Sequence, residues 1–155
     1  MIREDNIRVL YIDDETNNLT SFKANFRRDF TIHTALSAQE AFDLLKTTIV
    51  DIIISDQRMP NMTGVEFFTS YLKINPEPIR ILITGYADIE AVIDAINEGQ
   101  VYKYLTKPWN EFELRILIEK SFEVLSLRQQ NKKLIQDLAD TNSKLEFMLR
   151  QKLIS

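Results

Sequence analysis

The stretch VLYIDDET, residues 9–16, joins an apolar run to a group of acidic residues. Its apolar run, residues 9–12, leads directly into two adjacent carboxylates, Asp13 and Asp14. A short apolar run that stops at charged, turn-forming residues is typical of a buried β-strand that ends at the edge of a sheet. Open α/β sheets place their ligand sites at such strand ends. The two carboxylates therefore either face water or share a cation that offsets their repulsion.

The pattern of this stretch recurs along the chain to about residue 125. Extended apolar runs alternate with segments of helical period, which indicates βα units that build a parallel sheet. A predicted helix follows each strand, so the predicted fold class is α/β with five strands and five helices. The predicted strands are residues 7–12, 30–35, 50–55, 79–84 and 101–108.

The composition excludes several classes of protein. The 155 residues include no cysteine, which rules out a disulfide framework and thiolate metal sites and favours a reducing, cytoplasmic location. The net charge of −4 and the lack of clustered Lys and Arg argue against direct nucleic-acid binding. No apolar run approaches the roughly 20 residues of a membrane-spanning helix, so we expect no membrane partner.

Polar residues collect where the predicted strands end. Because parallel strands share one direction, the residues that follow their carboxyl ends lie in one crevice. Each residue alone would be no more than a turn or capping residue, but together they supply carboxylates, a hydroxyl and an ammonium. This set fits Mg²⁺-dependent phosphoryl transfer to a carboxylate, because an ionised aspartate is already nucleophilic. The residues are Asp13, Asp14, Asp56, Thr84 and Lys107.

Four motifs resemble the receiver domain of bacterial two-component response regulators, over roughly residues 6–125. They are YIDDE at 11–15, IIISDQRMPNMTG at 52–64, ILITGYAD at 81–88 and VYKYLTKPW at 101–109. The resemblance implies a flavodoxin-like, doubly wound, five-stranded parallel sheet in the order 2-1-3-4-5. It also implies an aspartate that a histidine kinase or a phosphotransfer protein phosphorylates, with Mg²⁺ as cofactor. We therefore expect residues 1–125 to form a receiver domain.

The resemblance also implies roles in phosphorylation for residues at the strand ends. Asp56 matches the phosphoacceptor. Asp13 and Asp14 match the acidic pair that binds the metal beside it. The main-chain carbonyl of Arg58 matches the third protein ligand of the metal.

A second group of residues resembles the family's switch. Thr84 and Lys107 match the hydroxyl and the ammonium that bind the phosphoryl group, and Tyr104 matches the aromatic residue that turns inward. The face formed by the fourth helix, fifth strand and fifth helix would pass the change on. Arg58 and Tyr86 lie where similar domains shield the phosphoryl group from water, so we expect a long-lived phosphoryl state. The resemblance also implies a cis peptide bond before Pro108.

The last predicted helix continues far beyond the receiver, with no Gly or Pro from residue 109 to 154. We expect residues 126–155 to form a coiled-coil extension that pairs with a second copy in a parallel homodimer. A single Asn at a core position, Asn131, favours one register and two strands. The alternatives are a helix that folds back on its own receiver and one that binds another protein. The predicted dimer stripe is Leu117, Val124, Leu127, Asn131, Leu134, Leu138, Leu145 and Met148.

Two other functions fit parts of the sequence. An Mg²⁺-dependent phosphohydrolase that resembles the haloacid-dehalogenase type would carry its nucleophile and its acid in one D-x-D motif, whereas Asp56 is followed by Gln57 and Arg58. A purely structural dimeriser would not need the complete set of five site residues. The segment after residue 125 is too short for an effector domain, so we expect the output in a partner protein or in a longer chain of which this is a fragment.

Overall fold

A five-stranded parallel sheet forms the centre of the computed structural model, which describes residues 6–154 of the chain. The strand order is β2-β1-β3-β4-β5, and every neighbouring pair is parallel. This order confirms the predicted flavodoxin-like fold. The strands are β1 (Arg8–Ile12), β2 (Thr31–Ala35), β3 (Ile52–Asp56), β4 (Ile79–Thr84) and β5 (Lys103–Thr106).

A helix follows each strand, as the sequence predicted. The second and third helices begin at residues whose side chains cap them, because Ser37 and Thr63 each accept a hydrogen bond from a main-chain N–H three residues later. A single 3₁₀ turn, Tyr86–Asp88, precedes the fourth helix. The helices are α1 (Thr16–Phe26), α2 (Ala38–Leu45), α3 (Gly64–Leu72), α4 (Ile89–Asn97) and α5 (Glu111–Ile154).

The predicted bounds of the fifth strand were wrong by two residues at each end. The main-chain N–H of Val101 donates to the carbonyl of Ala95 in α4, so this residue belongs to the connection and not to the sheet ladder. At the other end the chain turns into the cis bond between Lys107 and Pro108, which confirms the expected cis peptide. The third strand begins two residues later than predicted and ends one residue later, so Asp56 is its last residue.

Alternate residues of the strands face opposite sides of the sheet and form two separate cores. On one side, Tyr11 and Ile54 pack with Phe22 of α1 and Phe122 of α5. On the other side the strands pack against α2, α3 and α4, and this core is built from Leu10, Ile12, Ile53, Phe67, Phe68 and Leu82. Helices therefore cover both faces of the sheet, and the site lies at the carboxyl ends of the strands.

Two arginines, Arg8 and Arg80, form hydrogen bonds at the amino ends of the strands. Arg8 holds Asp51 through its main-chain N–H, at 2.8 Å from Oδ2, and through its guanidinium, with Nη2 at 3.0 Å from Oδ1. Arg80 is buried, and its guanidinium donates to carbonyl oxygens of the loops on either side, those of Pro76, Pro78 and Gln100 among them. Both arginines therefore have structural partners at the end of the sheet opposite the site.

The fifth helix has 44 residues, which corresponds to about 66 Å. Its first part belongs to the receiver, and Leu117 and Val124 of the predicted dimer stripe are half-buried against the receiver core. Farther along, the guanidinium of Arg128 lies 5.7 Å from the centre of the Tyr102 ring. Every residue from 131 to 154 is exposed. Within residues 6–154, no helix combines the length and the apolar character that crossing a membrane requires.

Candidate functional site

Three carboxylates meet at the carboxyl end of the sheet. Asp13 follows β1, Asp14 comes next, and Asp56 ends the neighbouring strand β3. One oxygen of each lies within 4.8 Å of the others. Asp13 and Asp56 are buried, whereas Asp14 is exposed. The structure therefore brings together the three acids that the sequence predicted, in an arrangement that fits Mg²⁺, which prefers carboxylate oxygens and retains some of its water.

Lys107 supplies the ammonium of the site. Its Nζ donates to Oδ2 of Asp56 at 2.9 Å. Its main-chain N–H donates to the carbonyl of Thr84 at 2.9 Å, which extends the pairing between β4 and β5 by one residue and fixes the backbone of the lysine. The sequence analysis placed Lys107 at the end of the predicted fifth strand, and in the structure its ammonium contacts the acidic cluster.

The charges in this site do not balance. Three carboxylates face one ammonium, an arrangement with net negative charge. Burial raises the pKa of Asp56, the hydrogen bond and charge of Lys107 oppose this effect, and the charges of Asp13 and Asp14 add to it. Burial lowers the pKa of Lys107, but its hydrogen bond to Asp56 and the surrounding acids raise it overall. A divalent cation would supply the missing positive charge.

The predicted switch residues Thr84 and Tyr104 lie in β4 and β5, the two strands beyond β3 in the sheet. Thr84 is fully buried, and its hydroxyl donates to the carbonyl of Gly85 at 3.2 Å. Tyr104 of β5 is half-buried and packs against the core on the side of the sheet that α2, α3 and α4 cover. The side chain of Tyr86 lies outside the part of the structure that is described, so its predicted role stays a prediction.

Arg58 lies in the loop after β3 and points its side chain across to the start of α4. Its Nε donates to Oδ2 of Asp88 at 2.9 Å, and its side chain is 74% exposed. The hydrogen bond and the charge of Asp88 raise the pKa of the Arg58 guanidinium. This ion pair connects the β3–α3 loop to the β4–α4 segment. Sequence patterns do not predict it, because its partners are 30 residues apart.

A glycine fixes the loop that follows Asp56. A Cβ atom on Gly64 would lie 2.7 Å from the carbonyl oxygen of Asp56 and 2.6 Å from Cδ1 of Leu82, so no other residue fits without a backbone shift. The loop is closed by Gln57, whose carbonyl accepts the N–H of Gly64 and whose side-chain Oε1 accepts the N–H of Val65. The backbone at the end of β3 is therefore held rigidly.

Two residues of the site were missed by the sequence analysis. The hydroxyl of Tyr11 and the side-chain amide of Asn18 each donate to Oδ2 of Asp13 at 3.0 Å. Tyr11 had been assigned only to the apolar run of the first strand. The available signal was its position two residues before Asp13, because residues i and i+2 of a strand face the same side.

The sequence matches the family described as "Response regulator receiver domain" over residues 9–119. The chain belongs to the response regulator receiver family. As a receiver, it is a phosphoacceptor module of two-component signalling. This membership accounts for the gathering of acids, hydroxyl and lysine at one end of the sheet.

Relatives of this receiver are parts of longer proteins. It is 36% identical to the hydrogenase transcriptional regulatory protein HoxA of Cupriavidus necator, over 95% of this chain and 30% of that protein. Against HoxA of Bradyrhizobium diazoefficiens the identity is 30%, over 93% of this chain and again 30% of that protein. The chain thus spans about three tenths of the length of these curated relatives.

Solved structures agree with the fold of this receiver. A chain described as adenylate cyclase from Rhodopirellula baltica superposes with a TM-score of 0.82 at 30% identity, over 85% of this chain and 98% of that chain. A receiver domain protein from Clostridium thermocellum gives a TM-score of 0.74 at 30% identity, over 78% of this chain and 98% of that chain. The second of these structures is described as a receiver domain, in agreement with the family match.

Proposed function

We propose that Asp56 is the phosphoacceptor of this receiver and that a histidine kinase or a phosphotransfer protein is the donor. The observation that carries the proposal is the position of Asp56: it is buried, it lies 2.9 Å from the Lys107 ammonium, and one of its oxygens is within 4.8 Å of oxygens of two further acids. Asp13, the other buried acid of this cluster, receives the Tyr11 hydroxyl, the Asn18 amide and the Glu15 N–H, whereas Asp56 receives the ammonium.

In the proposed reaction, an Asp56 carboxylate oxygen attacks the phosphorus of a phosphohistidine. The oxygen–phosphorus bond forms as the nitrogen–phosphorus bond breaks, and the imidazole nitrogen keeps the electron pair and takes up a proton. The Lys107 ammonium, 2.9 Å from Asp56, would bind a phosphoryl oxygen. Mg²⁺, held by Asp13, Asp14, Asp56 and the main-chain carbonyl of Arg58, would neutralise phosphoryl charge when bound.

The proposed switch begins at Thr84. Its hydroxyl can exchange the carbonyl of Gly85 for a phosphoryl oxygen, since a hydroxyl rotates about a single bond. Tyr104 would then turn toward the space that this movement leaves. The face formed by α4, β5 and α5 would change its packing and pass the signal into the long helix.

For the helix extension we propose a parallel homodimer. The support is an exposed apolar stripe beyond the receiver, in which Leu127, Leu134 and Leu138 are each more than 60% exposed. Because Leu117 and Val124 are half-buried in the receiver itself, the proposed interface centres on the residues from Leu127 onward. Its members are Leu127, Asn131, Leu134, Leu138, Leu145 and Met148. A second copy of this helix would cover them.

Sedimentation equilibrium tests this interface. Replacement of Asn131 by Leu should tighten association and yield mixed oligomers, because the polar residue that selects two strands is gone. Ser143→Leu, at a position on the outer side of the predicted heptad, is the matched control and should leave the dimer unchanged. A wild-type chain that stays monomeric contradicts the proposed dimer.

The output of the signal is proposed to lie outside residues 1–155. The relatives named above are transcriptional regulators more than three times as long as this chain, which supports a longer protein or a partner that receives the signal. A cytoplasmic location is part of this proposal and is favoured by the cysteine-free sequence.

Phosphorylation is tested by incubation with Mg²⁺ and acetyl phosphate, followed by intact-mass measurement. We expect one phosphoryl adduct with Mg²⁺ and none with EDTA. The Asp56→Asn variant should carry no adduct under either condition. Absence of an adduct on the wild-type chain, both with acetyl phosphate and with phosphorylated histidine kinases, would contradict the proposal and favour the structural-dimeriser alternative.

A further inference from the structure

The carboxylate of Asp13 is held by three donors. The Tyr11 hydroxyl and the Asn18 amide both donate to Oδ2 at 3.0 Å, and the main-chain N–H of Glu15 donates to Oδ1 at 2.9 Å. Asp13 has no exposed surface. Its orientation is therefore set by protein donors rather than by water.

Tyr11 is locked in place by aromatic packing. It is fully buried in β1, and its ring stacks on Phe22 with 4.3 Å between ring centres and an angle of 13° between planes. Phe22 in turn packs edge-on against Trp109, which lies in the connection between β5 and α5. The hydroxyl therefore has a fixed position, and a phenylalanine would fill the same space without it.

Counting lone pairs shows what this arrangement does to Asp13. A carboxylate oxygen offers two acceptor positions. On Oδ2, Tyr11 and Asn18 occupy both of them, whereas on Oδ1 the Glu15 N–H occupies one. The remaining acceptor position therefore belongs to Oδ1.

We infer that Tyr11 is a positioning residue for the metal site: together with Asn18 it occupies Oδ2 of Asp13 and so presents Oδ1 to the cation or to a water molecule bound to it. The inference rests on the proposed Mg²⁺ site. It adds to that site a residue that contacts a ligand without contacting the metal. Such outer residues fix the orientation of metal ligands and sustain affinity.

The test is the Mg²⁺ dissociation constant of the full chain. Trp109, the single tryptophan in the sequence, lies beside Tyr11, Asn18 and Lys107 in one surface pocket, and its fluorescence serves as the probe. Tyr11→Phe should raise the Mg²⁺ Kd by about tenfold, the lower end of the range for lost outer-shell partners. The rise in the urea midpoint on Mg²⁺ addition should shrink in parallel.

The matched control is Tyr71→Phe. Tyr71 is also a buried tyrosine stacked on a phenylalanine, but it lies in the core on the other side of the sheet. Its loss of a hydroxyl should change stability without changing the Mg²⁺ Kd. Asn18→Ala removes the other donor to the same oxygen, from a side chain that is only partly buried, and should also raise the Kd.

The outcomes separate the two proposals. A wild-type chain that shows no Mg²⁺ response in either readout refutes the proposed metal site itself. A wild-type chain that binds Mg²⁺, with Tyr11→Phe and Asn18→Ala variants that bind it equally well, overturns only the role of Tyr11. If Tyr11→Phe does not fold, the Asn18→Ala result decides the assignment of the free oxygen.

Discussion

Two aspartates bracket β3, and they are almost equally buried, with Asp51 3% exposed and Asp56 4% exposed. Asp51 lies at the amino end of the strand and receives the main-chain N–H, Nε and Nη2 of Arg8. Asp56 lies at the carboxyl end, receives Lys107, and has two more carboxylates beside it. One end of the strand has a matched pair of charges, and the other has excess negative charge.

The comparison shows that burial of an acid is not in itself a sign of function. A buried carboxylate with an arginine partner is a structural element, because its charge and its hydrogen bonds are satisfied within the fold. Excess charge at the end where parallel strands converge is costly to the fold and is explained by a ligand.

The largest effect on stability is expected at the balanced end. Asp51→Ala should lower the free energy of unfolding by about 3 kcal/mol, because it leaves the Arg8 guanidinium and main-chain N–H without their carboxylate. Urea denaturation measures this. Asp43→Ala removes an exposed acid from α2 and should cost less than about 0.5 kcal/mol. Equal losses for the two variants would mean that Asp51 is not a structural anchor.

At the carboxyl end of β3, removal of the acid should raise the free energy of unfolding instead of lowering it. Without Mg²⁺, Asp56→Asn should raise the free energy of unfolding by about 1 kcal/mol, a typical gain when a functional site is relieved of an unfavourable charge. Added Mg²⁺ should stabilise the wild-type chain and have little effect on the variant. A variant that is less stable than the metal-free wild type would show that the site is not under electrostatic strain.

The pH dependence of stability tests the excess negative charge around Asp56. Burial raises the pKa of Asp56, the neighbouring acids add to this, and Lys107 opposes it. Between the unfolded and the folded pKa the folded chain binds more protons, so the stability contribution of this group falls as the pH rises. The metal-free wild type should therefore gain stability relative to Asp56→Asn when the pH is lowered from neutral through this interval. A difference between the two urea titrations that does not change with pH would contradict the raised pKa.

The smallest effect on stability is expected for the exposed ion pair between Arg58 and Asp88. Asp88→Asn should change the free energy of unfolding by less than about 0.5 kcal/mol, because exposed pairs contribute little.

Arg58→Ala should shorten the lifetime of the phosphoryl group, measured by loss of the mass adduct over time, because a large side chain near the site is removed. An Arg58→Ala lifetime equal to that of the wild type would refute a shielding role.

The sequence allowed the position of the site to be predicted because the site is built from backbone topology. The site residues each follow or end an apolar strand, as Asp13, Asp56 and Lys107 do. Parallel strands bring such positions together through the direction of the backbone, independently of side-chain contacts. The fold followed from the same alternation of strands and helices. Motif resemblance then assigned the roles.

Long-range side-chain contacts could not be predicted in this way. The pairing of Arg8 with Asp51 joins residues 43 apart, and the Tyr11 hydroxyl depends on a rotamer that hydropathy does not specify. The heptad pattern of α5 was ambiguous for a similar reason. Leu117 and Val124 have the right spacing for a dimer stripe, yet they also pack on the core of their own receiver, because both surfaces select apolar residues at helical spacing.

The most direct test is to identify the phosphorylated residue chemically. Borohydride reduces an acyl phosphate to an alcohol and thereby converts a phosphorylated aspartate into homoserine. Trypsin should release residues 47–58, TTIVDIIISDQR, a peptide that contains both Asp51 and Asp56. After incubation with Mg²⁺ and acetyl phosphate, tandem mass spectrometry should find homoserine at position 56 and aspartate at position 51. Homoserine at position 51, or an unmodified peptide from a chain that carries the phosphoryl adduct, would contradict the assignment of the unbalanced end of β3 as the phosphorylation site.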